Sequence, residues 1–405
     1  RELDNVVTKY NPDNALILVM NPNNGEILGM ASRPTFSPTN YKNYTIEQIN
    51  RNLPIWMTYE PGSTFKIITL AASLNEHVVD LDNETFYDGG SIQVENARIK
   101  CWKAGGHGHQ TYLQVVENSC NPGFVTLGQR LGKEKLFSYI RNFGFGSKTG
   151  IDLNGEASGI LFNLDKVGPV ELATTAFGQG VSVTPIQQIT AVSAAINGGN
   201  LYKPYVVKRI LEPVTNNVIK ENTPTLVRNV IDSDTSKEVR RALESVVANG
   251  TGRNAYIEGH SVGGKTGTAQ KVNNGAYMIG NYIVSFIGFT PVSHPEVVVY
   301  VAIDYPKGIV QYGGTVAAPV AKSVLTDCIN ILNLEKDDVK DKNYNWNEVK
   351  YEKVPNVVNM TKDEALKVLS KFKVITEGNG NIVADQSPNY NDKVKVGEEV
   401  RIYLK

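Results

Sequence analysis

Apolar runs separated by turn residues occur at two distant places in the chain, and they predict one divided antiparallel sheet. The first pair of runs, within residues 15–32, flanks Asn24-Gly25, a dipeptide typical of β-hairpins. A second pair covers residues 281–290 and 296–305, and the shorter extended segment SVGGKTGTAQK precedes it. We therefore expect five strands in one sheet, with about 230 mainly helical residues between the first hairpin and the later strands.

Apolar residues at helical spacing follow Pro61-Gly62 in the segment YEPGSTFKIITLAASLNE, residues 59–76. The segment 315–334 predicts a further helix, which could cover the sheet. Together with the strands, these segments predict an α+β fold. Helices flank a five-stranded antiparallel sheet, and a helical insertion divides the sheet in sequence.

The chain changes character after residue 334. Residues 335–350 are polar and rich in charge, which is typical of a linker. Residues 351–405 predict several short strands and one helix, capped by Thr361 with Glu364 three residues later. We therefore predict a main domain over residues 1–334, a linker over 335–350, and a small independent module over 351–405.

Charge and composition narrow the function classes. The 405-residue chain has 41 basic and 41 acidic residues, which argues against a dedicated nucleic-acid surface. No segment approaches the roughly 20 consecutive apolar residues of a membrane span. The sequence opens with RELDNVV and has no initiator Met, so a preceding membrane anchor stays open. Three cysteines do not make a disulfide framework.

Three short motifs carry candidate catalytic chemistry. They are Ser-x-x-Lys at a helix start, Ser-x-Asn in a loop or helix start, and Lys-Thr-Gly-Thr on a candidate strand. Each motif alone is weak evidence of catalysis, because it also occurs by chance. The specific signal is the presence of all three in this order, each in the expected local structure. A second Lys-Thr-Gly, at residues 148–150, lacks an adjoining apolar strand, and we interpret it as a chance copy. The residues of the three motifs are Ser63, Lys66, Ser119, Asn121, Lys265, Thr266, Gly267 and Thr268.

With these motifs in place, residues 10–332 resemble the class B penicillin-binding proteins. The segments GEILGMASRPTFSPTNY, YEPGSTFKI, FGQGVSVTPIQ, GGKTGTAQK and GGTVAAP carry the resemblance further. The tail resembles a PASTA module, and this combination is most similar to the sporulation-specific members, with division-type members close behind. The resemblance implies the transpeptidase fold shared with serine β-lactamases, plus a small α+β PASTA module.

The resemblance implies a peptidoglycan D,D-transpeptidase that uses a Ser63 acyl-enzyme. Ser63 would attack the D-Ala-D-Ala bond of a stem peptide, and an amine of a second stem would resolve the intermediate. β-Lactams would acylate the same hydroxyl. Lys66, one helical turn away, can take the serine proton if its pKa is lowered. Ser119 would relay that proton, and Lys265 would supply positive charge beside Ser119.

Substrate-binding roles follow from the same resemblance. Asn121 would hold the peptide amide, and Thr266 and Thr268 would bind the terminal carboxylate of the donor peptide. Gly267 would let the backbone approach the ligand closely. Backbone N–H groups of Ser63 and Thr268 would form the oxyanion hole.

The resemblance also implies partners and a location. Class B proteins lack a glycosyltransferase domain, so a membrane glycosyltransferase partner is expected. The catalytic domain would lie on the extracytoplasmic side of the cell membrane, held by a single-pass anchor outside this sequence. The process would be septal wall or spore cortex synthesis. No cofactor is required for the chemistry.

Two alternative functions remain open at this point. A D,D-carboxypeptidase or β-lactamase would use the same serine chemistry and resolve the acyl-enzyme with water, although no Glu-containing motif suggests how that water would be positioned. A peptidoglycan-binding or penicillin-sensing protein is the second alternative, which the PASTA-like tail keeps open. The intact set of motifs argues against a pure scaffold.

The Gly-rich segment KCWKAGGHGHQTY, residues 100–112, concentrates candidate metal ligands. A thiolate with two imidazoles suits zinc, which takes four nitrogen, sulfur or oxygen ligands. Cys120 or water could be the fourth ligand, but we favour a carboxylate because Cys120 belongs to the Ser-x-Asn loop. A loop without metal and a Cys101–Cys120 disulfide are the alternatives. The predicted structural zinc site comprises Asp88, Cys101, His107 and His109.

Overall fold

The structure is a computed structural model that describes residues 1–273, 275–337 and 351–405. Eleven α-helices lie within these described ranges: α1 Glu2–Tyr10, α2 Ile46–Asn50, α3 Leu53–Trp56, α4 Lys66–Asn75, α5 Tyr112–Glu117, α6 Asn121–Asn142, α7 Pro169–Thr175, α8 Pro185–Ile196, α9 Ser233–Ala248, α10 Gly313–Leu332 and α11 Lys362–Val368.

The strands of the described ranges belong to one main sheet and several small ones. They are β1 Asn14–Met20, β2 Ile27–Arg33, β3 Thr85–Asp88, β4 Ser91–Val94, β5 Ala97–Lys100, β6 Gly108–Thr111, β7 Asn200–Tyr202, β8 Arg209–Leu211, β9 Val218–Glu221, β10 Leu226–Asn229, β11 Gly263–Asn273, β12 Ala276–Thr290, β13 Val297–Asp304, β14 Tyr351–Lys353, β15 Lys373–Glu377, β16 Val383–Ser387, β17 Lys393–Lys395 and β18 Glu399–Leu404.

The main sheet has five strands in the order β11-β12-β13-β1-β2, and every neighbouring pair is antiparallel. The N-terminal hairpin joins the later strands through β1 and β13, whose pairing extends from Asn14 opposite Asp304 to Met20 opposite Val298. The predicted five-stranded sheet, split in sequence by a helical insertion, is therefore confirmed. Strand β11, with the Lys-Thr-Gly-Thr motif, lies at one edge.

Each face of the sheet packs against a separate hydrophobic layer. In β1, Leu16 and Leu18 face the helical insertion, whereas Ile17 and Val19 face the opposite layer. Successive side chains of a strand point to opposite faces, so a strand that is apolar throughout must be covered on both sides. The insertion covers one face, and α1 and α10 cover the other. This arrangement holds the edge strand β11 beside the insertion.

Helix α10 meets the length and composition criteria for a membrane span among the described residues. The sequence analysis found no such segment, so its estimate of apolar length was too strict here. Val316, Ala317, Ala321 and Leu325 are buried against the sheet, as expected for a core helix.

The C-terminal module has its own core of ten buried apolar residues, one of which is Val310 from the main domain. Its β18 pairs in parallel with β15 and antiparallel with β16. The predicted cap of α11 is present, because Thr361 and Glu364 form a reciprocal capping box. Only the first three residues of the predicted linker, 335–350, fall within the described part of the chain. The predicted domain boundaries stay a prediction.

A buried cation joins the module to the main domain. Arg401 of β18 donates hydrogen bonds to the Tyr312 hydroxyl, 2.8 Å from Nη2, and to Glu377, 2.5 Å from Nη1. Its guanidinium also lies over the rings of Tyr282 and Tyr312, at 5.9 and 5.4 Å from their centroids. A largely buried guanidinium is stable only when such partners replace water. Arg401 therefore links Tyr312, which immediately precedes α10, to the C-terminal module.

We expect Arg401→Ala to lower the free energy of unfolding by about 3 kcal/mol, because it leaves Glu377 and two tyrosines without their buried partner. Urea denaturation measures the change. Lys371→Ala is the matched control, since it breaks an exposed ion pair with Glu352 and should cost no more than about 1 kcal/mol. Equal losses in the two variants would contradict the expectation.

Candidate active site

Ser63 lies in a tight turn that precedes helix α4. Residues Gly62–Phe65 form a 3-10 turn, and the α-helix begins only at Lys66. The sequence placed Ser63 at the start of the α-helix, so the helix begins three residues later than predicted. Gly62 adopts φ +53°, a left-handed conformation that favours glycine. Its N–H donates to the carbonyl of Gly178, at 3.0 Å, which ties the serine turn to residues 177–183.

The Ser63 turn opens into a groove of about 2600 Å³. Side chains from all three predicted motifs line it, and the groove continues along the C-terminal module. The motif residues at its surface are Ser63, Ser119, Asn121, Thr266 and Thr268. The structure therefore brings the three motifs together although about 200 residues separate the first from the last.

Lys66 is fully buried and directs its amine at the Ser-x-Asn loop. Nζ donates to the Ser119 carbonyl at 2.8 Å, to the Ser119 hydroxyl at 3.2 Å, and to Asn121 Oδ1 at 2.6 Å. The amine also lies 5.2 Å from the centre of the Phe124 ring. Burial lowers the pKa of Lys66 to about 7, although the nearby Cys120 and Cys101 act in the opposite direction. The amine can therefore lose a proton near neutral pH.

The Ser-x-Asn loop owes its shape to two helices that meet there. Helix α5 ends at Glu117 and α6 begins at Asn121. Ser119 takes φ +53° between them, an uncommon conformation for a residue other than glycine. This turn points both the carbonyl and the hydroxyl of Ser119 at the same amine. Asn121 is held from its other end as well, because Nδ2 donates to the Lys100 carbonyl at 3.3 Å.

Strand β11 places the residues of the Lys-Thr-Gly-Thr motif alternately on its two faces. Lys265 is fully buried on the side of Lys66, and burial together with the charge of Lys66 lowers its pKa. Thr266 and Thr268 face the groove and α10. The hydroxyl of Thr266 lies 3.0 Å from that of Thr251, and Thr268 Oγ1 accepts from the Gly313 N–H at 3.2 Å. Both threonine hydroxyls are thus oriented by neighbouring groups.

Gly267 is constrained from behind as well as from the groove. A Cβ at this position would lie 2.3 Å from the Ser285 hydroxyl and 3.0 Å from Thr64. The sequence analysis explained Gly267 by close approach to a ligand alone. A second reason for glycine is that no side chain fits between β11 and the serine turn.

The second Lys-Thr-Gly copy lies elsewhere and has a structural role. Glu156 accepts from the backbone N–H groups of Thr149 and Gly150 at 2.6 and 3.0 Å, and from the Thr149 hydroxyl. Lys148 is exposed. This segment is a carboxylate-bound turn, in agreement with its interpretation as a chance copy.

Four potential metal ligands converge beside the Ser-x-Asn loop. Ligand atoms of Asp88, Cys101, His107 and Cys120 all lie within 4.8 Å of one another. His107 Nδ1 is 2.8 Å from Asp88 Oδ2 and 3.4 Å from Cys101 Sγ, and Cys120 Sγ is 3.4 Å from Asp88 Oδ2. Both cysteines are free thiols rather than a disulfide.

The structure does not bring His109 to this cluster. In the β3–β6 ladder, Tyr87 is the cross-strand partner of His109, and their rings pack at a tilted angle on the exposed face, with centroids 4.9 Å apart. Asp88, the next residue of β3, points inward instead, because side chains alternate along a strand. Cys120 takes the place predicted for His109. It was set aside because it belongs to the Ser-x-Asn motif, yet its side chain points away from the groove.

Sequence reasoning missed several residues that shape the groove. Gln179, Thr251, Tyr312 and Gly313 all border it. Two of the segments that carried the family resemblance, FGQGVSVTPIQ and GGTVAAP, contain Gln179 and Gly313 and were the available signal. Nothing in the local sequence around Thr251 indicated that it meets Thr266.

A buried amine, a serine one turn away and a threonine-bearing edge strand together define a serine-nucleophile site of the penicillin-recognising type. Residues 15–326 match the penicillin binding protein transpeptidase domain, and residues 352–405 match the PASTA domain. The chain therefore belongs to the penicillin-binding protein transpeptidase family, and the resemblance found in the sequence is confirmed.

Individual relatives agree with this assignment. The chain is 58% identical over its whole length to stage V sporulation protein D of Bacillus subtilis, of which it covers 63%. It is 31% identical to a peptidoglycan D,D-transpeptidase FtsI homolog of Mesostigma viride, over 80% of this chain and 58% of that protein. The chain thus spans about 60% of the length of these curated relatives.

Solved structures share the fold. Penicillin binding protein 3 of Mycobacterium tuberculosis, complexed with aztreonam, superposes with a TM-score of 0.76 at 27% identity, covering 83% of this chain and 77% of that one. The transpeptidase domain of Burkholderia pseudomallei penicillin-binding protein 3 gives a TM-score of 0.72 at 28% identity, covering 83% and 94%. The predicted transpeptidase fold is confirmed.

We expect the acylation rate with a fluorescent penicillin to rise with pH through about 7. Only the neutral amine of Lys66 can accept the Ser63 proton, and its share grows from about one tenth at pH 6 to about nine tenths at pH 8 for a pKa of about 7. Second-order labelling rate constants across this range measure the effect. Lys66→Arg is the control, because a guanidinium does not deprotonate there and should show very slow labelling with no step. A flat wild-type profile would contradict the assignment.

Proposed function

We propose that this chain is a peptidoglycan D,D-transpeptidase that cross-links stem peptides through a Ser63 acyl-enzyme. The observation that carries the proposal is the set of contacts between the Lys66 amine, Ser119 and Asn121 beside the Ser63 turn. Support also comes from the family match over residues 15–326 and from the names of the relatives. The process is septal wall or spore cortex synthesis, and the identity to stage V sporulation protein D favours the cortex.

Proton transfer follows from the hydrogen bonds of Lys66. As an ammonium it directs all three protons to Ser119 and Asn121. Loss of one proton gives the nitrogen a lone pair that can accept the proton of Ser63 as that oxygen attacks the carbonyl. The Ser119 hydroxyl, 3.2 Å from Nζ, then passes a proton to the leaving nitrogen of the terminal D-Ala. Lys265 adds positive charge to this region only while it is protonated, because burial and the charge of Lys66 lower its pKa.

Substrate binding follows from the exposed edge of β11. An extended stem peptide pairs with an edge strand through main-chain hydrogen bonds. Thr266 and Thr268 then bind its terminal carboxylate, and the amide of Asn121 holds the peptide from the opposite wall. A Cβ added to Gly62 would lie 3.3 Å from the Thr268 carbonyl, so the serine turn and β11 pack closely. In this proposal the backbone N–H groups of Ser63 and Thr268 form the oxyanion hole.

The remaining parts of the proposal are family-based. The acceptor is an amine of a second stem peptide, β-lactams acylate Ser63, and a membrane glycosyltransferase supplies the glycan strands. The catalytic domain, residues 1–334, works on the extracytoplasmic side of the cell membrane with the PASTA domain, residues 351–405, attached by the linker 335–350. The reaction itself needs no cofactor.

We expect Ser63→Ala to abolish covalent labelling by a fluorescent penicillin, because the variant lacks the only oxygen that can form the acyl bond. Gel fluorescence after denaturation measures it. Ser158→Ala, an exposed serine outside the groove, is the matched control and should label like the wild type. Labelling of Ser63→Ala would remove Ser63 from its role. An acyl-enzyme that turned over within seconds would favour the β-lactamase alternative.

A structural zinc ion fits the four ligands that converge beside the active site. Two thiols, one imidazole and one carboxylate are ligand types that zinc prefers, and its bond lengths of about 2.0–2.3 Å place tetrahedral ligands about 3.3–3.8 Å apart. Two of the separations are 3.4 Å, whereas the third, between His107 Nδ1 and Asp88 Oδ2, is 2.8 Å, shorter than two ligands of one zinc ion require. Four protein ligands leave no open position, so such an ion would brace the loop that carries Ser119.

We expect the purified protein to contain about one zinc ion per chain, and Cys101→Ser to lose most of it, since the variant lacks one thiolate ligand. Elemental analysis measures the content. Cys328→Ser and His109→Ala are controls that should retain zinc, because both side chains lie outside the cluster. A wild-type protein without zinc, or unchanged zinc in Cys101→Ser, would end this part of the proposal.

A further inference from the structure

Four hydroxyl groups are buried together beneath the active site, and the mechanism above uses none of them. They belong to Tyr59, Thr64, Ser285 and Tyr300, each at most 6% exposed. Tyr300 lies in the middle of β13, where the neighbouring residues Val298, Val299 and Val301 are purely apolar. A hydroxyl taken out of water at such a position is costly unless it is hydrogen-bonded. We call these four buried groups the hydroxyl cluster.

The Tyr300 hydroxyl is the centre of the hydroxyl cluster. It is hydrogen-bonded to the Tyr59 hydroxyl. Burial raises the pKa of Tyr300, and the nearby hydroxyls of Tyr59, Ser285 and Thr64 oppose that rise. Thr64 in turn donates its proton to the carbonyl of Pro61, at 2.9 Å. A hydroxyl has one proton and two acceptor sites, so Tyr300 can make all three of its contacts at once.

One hydrogen-bond direction in the hydroxyl cluster is fixed by the carbonyl of Pro61, which can only accept, so Thr64 uses its one proton there. In the hydrogen bond between Tyr59 and Tyr300, either hydroxyl can donate. Thr64 connects the cluster to the backbone of the serine turn, and hydrogen-bonded hydroxyls in a buried site strengthen one another through polarisation.

The two ends of the hydroxyl cluster touch the two backbone segments that would form the oxyanion hole. Thr64 follows Ser63 directly and braces the turn through Pro61. Ser285 is the cross-strand partner of Gly267, the residue before Thr268, and fills the space where a Cβ of Gly267 would lie. Tyr300 therefore lies between Thr64, which braces the backbone at Ser63, and Ser285, which packs behind the backbone next to Thr268.

We propose that Tyr300 is a positioning residue that sets the spacing between the serine turn and β11 through the hydroxyl cluster. An apolar core alone would hold these two segments together but would allow them to slide, because apolar contacts are not directional. Hydrogen bonds fix direction and distance, and a displacement of about 1 Å at a reacting centre costs on the order of 100-fold in rate. This inference rests on the proposed acylation of Ser63.

The test separates binding from chemistry with a fluorescent penicillin at saturating and subsaturating concentrations. Tyr300→Phe should lower the limiting acylation rate about tenfold. The dissociation constant of the reversible complex should stay within about twofold, because Thr266, Thr268 and Asn121 are untouched. Tyr59→Phe and Ser285→Ala should have smaller effects, since each removes one outer hydroxyl of the cluster, whereas Tyr300→Phe removes the central one.

Tyr112→Phe is the matched control. Tyr112 is as deeply buried as Tyr300, but its hydroxyl makes no hydrogen bond within the described residues, so Tyr112→Phe tests only the removal of a buried hydroxyl without a partner. Each variant is measured well below its own thermal midpoint. If Tyr300 were only structural, its limiting rate would match the wild type whatever its midpoint, and that result would overturn the proposal, as would an equal rate loss in Tyr112→Phe.

Two further outcomes keep the inference distinct from the proposed function. Failure of the wild-type protein to be labelled at Ser63 would refute the acylation chemistry itself. Labelled wild type with full-rate Tyr300→Phe would refute only the positioning role. If Tyr300→Phe fails to fold, the limiting acylation rate of Ser285→Ala tests the positioning role instead. An unchanged rate in that variant would refute the proposal.

Discussion

The burial of the Lys66 amine is the constraint on which the site depends. An ammonium without water needs several acceptors, and here three of them come from two residues of one loop, Ser119 and Asn121. These three acceptors can point at one amine because Ser119 has a left-handed backbone conformation and α6 begins two residues later, at Asn121. The same burial brings the pKa of Lys66 near neutrality, so the group that organises the insertion is also able to act as a base.

Most of the sheet could be predicted because its strands carry local signals. Asn24-Gly25 marked the first hairpin, and the apolar runs of β12 and β13 were long enough to identify. The start of α4 could not be placed, because the turn at Gly62 depends on the distant carbonyl of Gly178. The β3–β6 pair and the β4–β5 hairpin were missed because their strands are only four residues long and contain many polar residues.

The convergence of the three motifs could be predicted because serine chemistry fixes residue types at short spacings. The membership of the Asp88 cluster could be predicted only in part. Whether His109 joins it depends on which face of β6 this residue occupies, and the left-handed Gly108 beside it is not visible in the pattern. The proximity of Tyr59 to Tyr300 could not be predicted at all, since 241 residues separate them in the chain.

The junction between Tyr312 and Gly313 has a mechanical consequence. The Tyr312 hydroxyl is hydrogen-bonded to Arg401 and Glu399 of the C-terminal module, and the N–H of the next residue donates to Thr268. No residue lies between these two points of attachment. A displacement of the C-terminal module is therefore coupled within one peptide unit to the wall of the groove that contains Thr268.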